Sequence, residues 1–266
     1  MNSDFRHTER LTKRLFLGAP ALAVLLATPL HAAPQRPPIT PRENLVLANE
    51  ILAMEGLIGP FGHVSVRLGP TRFLMMSHEG TGLSVEISDL AEFDTSITPQ
   101  DVRDGRLYSE IFIHSAAYKE HPDVNAVVHT HSPYAIALGT LKMPHDRVLP
   151  TTNPGSNIGN FIPIFSVVGL IETPDQGQKV ARSLQGQNGV LLRGHGAVVV
   201  GASLEQAVLR AIYLEFEARV QLVSRAAGTP RFYQPEESNR FKATQAIAHP
   251  WEYYVQKVRR HVKGDN

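Results

Sequence analysis

The chain has 266 residues, is 42% hydrophobic and 19% charged, and carries a formal net charge of +1. That suits one sizeable α/β domain in an ordinary soluble globule and leaves too little for two, while the balanced charge offers no basic field for nucleic acid. Cysteine is absent, which excludes disulfides and thiolate chemistry and leaves His, Asp and Glu as the only strong metal ligands.

Residues 1–32 read as a signal peptide, with a basic start, an apolar stretch from Leu15 to Leu30 and small residues at Ala32 and Ala33. Within it, Thr12-Lys13-Arg14-Leu15-Phe16-Leu17 resembles a twin-arginine export motif with Lys in place of the first Arg. The alternative is a general secretion signal. Cleavage would leave a near-neutral chain in the periplasm or medium, without membrane attachment, and would keep every one of the twelve histidines except His7 and His31. Residues 33–39 form a Pro-rich leader, and residues 40–266 a single domain.

Thr40-Pro41-Arg42-Glu43 is a capping box that opens a helix carrying Leu45, Ala48, Ile51 and Leu52 at helical spacing, stopped by Gly56 or by Gly59-Pro60. His63 to Leu68 alternates, with Val64, Val66 and Leu68 on one face and His63, Ser65 and Arg67 on the other, the pattern of a strand. Arg72 to Ser77 is its expected hairpin partner. A helix is expected from Ser109 to Pro122, a strand over Ala126 to His131, and a helix from Ser132-Pro133 to Leu141. Thr151 to Pro163 reads as a loop, and a helix covers Gln176 to Leu184. Gly189 to Gly201 reads as two strands broken at Gly194-His195-Gly196, and a capping box at Ser203 opens a long helix ending near Gly228. The remaining tail is mixed. Strands interspersed with helices indicate one layered α/β domain.

His129 and His131 stand two apart on a strand, so both imidazoles leave the same face and can share one divalent metal ion. Ala126, Val127 and Val128 make that strand half-buried, which raises the cost of leaving the rings unpaired. His195, between two glycines that permit a sharp turn, would complete a three-histidine site with an open fourth position, an arrangement that favours catalysis. Glu110, at a helix start, is a candidate fourth ligand or acid/base; a helix-start carboxylate also has the plainer role of complementing the dipole. His114, one turn on, reads as a structural hydrogen-bonding residue. His63, Ser65 and Arg67 either line a pocket for an anion or form a solvated face.

Taken in order, Gly62–Arg67 (GHVSVR), Ser109–Ala135 (SEIFIHSAAYKEHPDVNAVVHTHSPYA) and Leu191–Gly196 (LLRGHG) resemble the class II aldolase/adducin family. The resemblance spans roughly Glu43 to Arg225. It implies a three-layer α/β/α domain around a central, mostly antiparallel sheet, and a metal held by His129, His131 and His195. It assigns Glu110 as the acid/base. It also implies a homotetramer with active sites at subunit interfaces, where C-terminal residues would serve a neighbouring site; whether Trp251, Tyr253 or Tyr254 are among them stays open in the sequence. Adducin-like members keep the fold as an interaction module without chemistry, but a scaffold has no need of Glu110, His129, His131 and His195 together.

The departures from the family pattern are informative. Its sugar-phosphate aldolases grip phosphate with Gly-Asn-x-Ser, Thr-Gly and Ser-Ser turns. Here the first is Gly62-His63-Val64-Ser65, the last is Tyr108-Ser109, and Thr81-Gly82 stands near the middle one. Bulkier groups thus replace the phosphate cradle, and Pro150 falls about where the fuculose-phosphate enzyme has its proton-donating tyrosine. Phe61 to Arg67 looks instead like the family's decarboxylases of hydroxylated aromatic dicarboxylates. The expected function is therefore a lyase that decarboxylates a small non-phosphorylated oxyacid through an enolate- or phenolate-like state stabilised by Zn2+ or Mn2+. Fe2+ suits an oxygenase better, and an aldolase or epimerase acting on a hydroxy-keto compound is the alternative. His63, Ser65, Arg67 and Ser109 are the expected substrate-binding residues, with Arg67 and His63 holding a carboxylate.

Overall fold

In the computed structural model, residues 39–77, 85–103, 107–242 and 247–263 are described. The signal segment, leader residues 33–38 and Thr81-Gly82 lie outside them. The Thr40 capping box forms: its hydroxyl accepts from the Glu43 N–H while the Glu43 carboxylate accepts from the Thr40 N–H, which starts α1 (Pro41–Met54). Next come β1 (His63–Arg67), β2 (Arg72–Met76), β3 (Leu90–Asp94), a single turn α2 (Pro99–Asp101), α3 (Ile111–Glu120), β4 (Ala126–Thr130) and α4 (Pro133–Gly139). The chain continues through β5 (Arg147–Val148), β6 (Ile162–Phe165), α5 (Pro174–Ser183), β7 (Gly189–Leu192), β8 (Gly196–Gly201), α6 (Leu204–Ala227), α7 (Pro235–Lys242) and α8 (Ala248–Lys263).

The eight strands form one sheet in the order β3-β2-β1-β4-β8-β7-β6-β5, antiparallel throughout except for the parallel pair β6/β7. Period-two alternation sorts their side chains into two cores. Val64, Leu74, Val128 and Val199 meet Leu45 and Leu52 of α1, Leu138 of α4, Ala211 and Leu214 of α6 and Val255 of α8. On the opposite face Phe73, Met75, Val127 and Val198 meet Phe112 and Ile113 of α3 and Val180 of α5. Each fully buried aliphatic or aromatic side chain is worth about 1.5–3 kcal/mol, against about 1 kcal/mol for a cap. The two cores therefore hold the layers together, and the caps decide where helices begin. The result is the expected three-layer α/β/α architecture, and among the described residues no helix is long and apolar enough to cross a membrane.

The differences from expectation have local causes. The α3 helix begins at Ile111, with Glu110 at its N-cap, because Tyr108 to Glu110 make a turn first. Residues 151–163 hold a short 3-10 turn (Gly155–Asn157) and the start of β6, whose partner β7 lies far along the chain and supplies no local signal. The polar face of β1 is no surface. Helix α3 covers it, and His63 and Ser65 are fully buried.

Candidate metal centre and active site

Three elements converge on the site. Strand β4 carries His129 near its end and His131 just past it, where the His131 N–H donates to Leu57 O. Strand β8 runs antiparallel to β4 with Thr130 opposite Ala197, so the β7–β8 turn brings His195 to the same end of the sheet. Its tightness depends on two glycines. Gly194 sits at φ +70°, the left-handed region that a Cβ disfavours, and a Cβ on Gly196 would lie 1.8 Å from Thr130 O. From the other side, the start of α3 presents Glu110.

One ligand atom from each of Glu110, His129, His131 and His195 lies within 4.8 Å of the others. Glu110 Oε2 is 3.4 Å from His129 Nε2 and 3.3 Å from His195 Nε2, and its Oε1 accepts the Ile171 N–H at 2.9 Å. His129 Nδ1 lies 3.0 Å from Ala197 O, which can only accept, so Nδ1 carries the proton and Nε2 offers its lone pair to the centre. His131 Nε2 faces it at 3.0 Å, and two such nitrogens repel unless a proton or cation lies between them. Both ring nitrogens of His195 are buried without a hydrogen-bond partner among the described residues. A buried imidazole left so costs about 1–3 kcal/mol. A divalent ion relieves all of these conflicts at once, so the donor set fits one, with three nitrogens and one hard oxygen.

The electrostatics agree. Burial pushes the Glu110 carboxyl up, but the facing His129 and His195 imidazoles and the Ile171 N–H more than reverse it, holding the group far below the usual carboxylate range. Burial, then repulsion from His129 and His195, pulls His131 down to about 4, so near neutral pH its ring is neutral and free to coordinate.

The expected substrate-binding residues separate. His63 stands directly across the strand pair from His129, ring centroids 5.0 Å apart, and is buried; desolvation and then the neighbouring His114 and His129 hold its pKa well below normal. Ser65 is not a pocket residue: its hydroxyl is taken by His114 Nδ1 at 2.6 Å and Tyr118 OH at 2.7 Å. Arg67 has its donors taken up within the fold. Its guanidinium donates to the main-chain oxygens of Val124, Tyr118, His121 and Pro70 and lies over the Tyr118 ring, so its donors are spent on the backbone around the end of α3. Ser109 is half-buried in the turn before Glu110. Among residues that sequence reasoning passed over, Ile171 and Ala197 act through backbone atoms, which no side-chain pattern announces. Phe61, read in the sequence only as the first residue of the Phe61–Arg67 motif and given no role there, is 66% exposed with its ring centroid 5.9 Å from that of His131.

The profile of the class II aldolase and adducin N-terminal domain family matches residues 43–222, well over half of the chain. The chain belongs to this family. Among its relatives is the 3,4-dihydroxyphthalate decarboxylase of Arthrobacter keyseri, 31% identical over 199 residues, which cover 70% of this chain and 79% of that one. Decarboxylase tropJ of Talaromyces stipitatus is 30% identical over 214 residues, 71% and 77% of the two chains. In fold, the chain matches the L-fuculose 1-phosphate aldolase from Glaciozyma antarctica with a TM-score of 0.67 at 25% identity, covering 86% of this chain and 96% of that one. With relatives of both kinds, this class II aldolase family member is an enzyme of the lyase type.

Proposed function

We propose that the protein is a metal-dependent decarboxylase of a small, non-phosphorylated, hydroxylated aromatic carboxylic acid. The observation that carries the reading is the convergence of Glu110, His129, His131 and His195 on one point. The choice of decarboxylation is supported by relatives named for it. His129, His131 and His195 would hold Zn2+ or Mn2+, with Fe2+ less suited, and the bound ion supplies Lewis-acid stabilisation of the electron-rich oxygen next to the reacting carbon.

The chain's own groups manage the proton. Glu110, ionised at rest, takes a proton from a substrate hydroxyl through Oε2 while the Ile171 N–H holds Oε1 in place. Breaking the carbon–carboxyl bond releases CO2 and leaves an electron pair on the ring carbon. Glu110 returns its proton there, and solvent restores the hydroxyl. Phe61, at the edge of the cluster, gives a planar substrate an apolar wall.

The test is a panel of hydroxylated aromatic acids, 3,4-dihydroxyphthalate among them, run beside hydroxy-keto compounds with CO2 detection on protein of measured metal content. The expected result is CO2 release from an aromatic acid by protein holding close to one divalent ion per chain. Cleavage of the hydroxy-keto compounds alone would replace this reading with an aldolase, and a folded, active, metal-free protein would overturn the metal assignment.

The proposal extends to assembly and location. A homotetramer would cover the exposed apolar run Val167, Val168 and Leu170, which are 59%, 67% and 49% exposed beside the Ile171 that supports Glu110. Residues 1–32 would direct export. Light scattering of the purified protein and the N-terminal sequence of the periplasmic fraction check the two statements separately.

A further inference from the structure

Behind the metal centre, four buried polar side chains form one continuous chain. His63 Nδ1 meets His114 Nε2 at 2.7 Å, His114 Nδ1 meets Ser65 Oγ at 2.6 Å, and Ser65 Oγ meets Tyr118 OH at 2.7 Å. All four are at most 2% exposed. None of the three bonds serves the fold in the way a cap or a ladder bond does, and an apolar filling would pack the same space without needing each partner satisfied.

The chemistry of the members orders the protons. A neutral imidazole donates from one nitrogen and accepts at the other, so the direction of one bond sets that of the next. Only one polarity uses both hydroxyl protons inside the chain: Tyr118 donates to Ser65, Ser65 to His114 Nδ1, and His114 Nε2–H to His63 Nδ1. His63 is then an acceptor at Nδ1 and carries its proton on Nε2. The ring bearing that proton stands directly across the strand pair from His129, one of the four clustered donors.

We propose that His114, Ser65 and Tyr118 are positioning residues that fix the ring orientation and tautomer of His63, so that His63 presents an Nε2–H donor to an anionic oxygen of the substrate at the metal centre. The inference rests on that centre being the reaction site, as proposed above. It assigns a purpose to polar groups that the clustered donors do not require. It also explains why His63 can serve an anionic substrate although it is shut away from solvent: the donor is oriented before the substrate arrives, so no reorganisation is needed.

The test separates tautomer from turnover. Histidine is labelled with nitrogen-15 in the metal-loaded full chain, and the His63 signals are identified by their loss in His63→Gln. Wild type is expected to show His63 as a single Nε2–H tautomer, and Tyr118→Phe and Ser65→Ala are each expected to shift its ring-nitrogen signals with metal content unchanged. In turnover of the panel acid that releases CO2, each of these two variants is expected to lower kcat about tenfold, with Ser65→Thr retaining most of it. In a His63→Leu background, Tyr118→Phe is expected to add nothing further. An unchanged His63 tautomer in both Tyr118→Phe and Ser65→Ala would overturn the positioning role, as would losses that multiply independently in the double variant. A protein inert to every panel acid would defeat the decarboxylase reading instead, and the nitrogen signals would still decide the chain.

Discussion

Among the described residues two glutamates, Glu110 and Glu217, are buried, and they are buried differently. Glu217 on α6 is fully enclosed, and both of its oxygens are filled: Oε1 accepts from the Thr151 N–H and hydroxyl and from the Gln221 amide, and Oε2 from the Thr152 N–H and hydroxyl. It ties the loop after β5 to the central helix. Glu110 also spends one oxygen on a backbone N–H, but turns the other toward imidazoles at distances too long for good hydrogen bonds. A carboxylate with every lone pair satisfied has no capacity left for chemistry. One with a free oxygen in a buried cluster of nitrogen donors is held ready for a cation and a proton.

The strongest test of this contrast is to remove one charge from each. Glu110→Gln should keep the fold and most of the metal and lower kcat by roughly 10²- to 10⁴-fold, the usual contribution of a positioned acid/base. Metal analysis beside steady-state turnover checks it, and a variant with undiminished kcat would deny Glu110 its role in proton transfer. Glu217→Gln should do the reverse. An amide leaves at least one of the two Thr N–H and hydroxyl sets facing a donor, at a cost of about 3 kcal/mol, read as a lower denaturation midpoint with kcat unchanged.

How much of this was legible depended on whether the signal was local. The caps at Thr40 and Ser203, the shared face of His129 and His131 and the hinge around His195 all follow from spacing within a few residues, and the structure places them so. Strand β6 was hidden because its partner β7 lies far along the chain, and β5 because it is only two residues long. The polar face of β1 shows the limit most sharply. Alternation established that His63, Ser65 and Arg67 point the same way, but it could not reveal that α3 would cover that face. That helix converts three apparent pocket residues into a histidine beside the metal centre, a link in a buried chain and a backbone clamp.

The buried imidazoles make a further distinction measurable through pH. Burial, then the neighbouring His129, lowers His114 to about 3, and His131 is lowered to about 4, each from an ordinary 6.5. A folded-state pKa below the unfolded one means that the unfolded chain binds more protons between the two values. Metal-free protein should therefore lose stability as pH falls from about 6.5, most steeply while both rings stay neutral in the folded state, at about 1.4 kcal/mol per pH unit for each group. The Glu110 shift, also downward, adds its loss only below its unfolded value of 4.5. Chemical denaturation at several pH values tests the window, and a His114→Asn variant should show a shallower slope. Stability that stays flat between pH 6.5 and 4.5 would contradict neutral burial of both rings.

The smallest effect concerns Arg67, which resembles Glu217 in having its hydrogen-bonding capacity spent within the fold. Three of its contacts, to the oxygens of Val124, Tyr118 and His121, run between 2.7 and 3.1 Å and bind the turn that joins α3 to β4. A lysine has one compact ammonium in place of the guanidinium fork and cannot reach all three at once. Arg67→Lys should cost about 1–2 kcal/mol of stability and leave KM for the substrate where it was. A residue gripping a substrate carboxylate would behave in the opposite way, raising KM severalfold with little loss of stability. Because β4 delivers His129 and His131 directly after that turn, a small fall in kcat alongside the lost stability would fit a loosened strand, whereas a rise in KM alone would return Arg67 to the substrate.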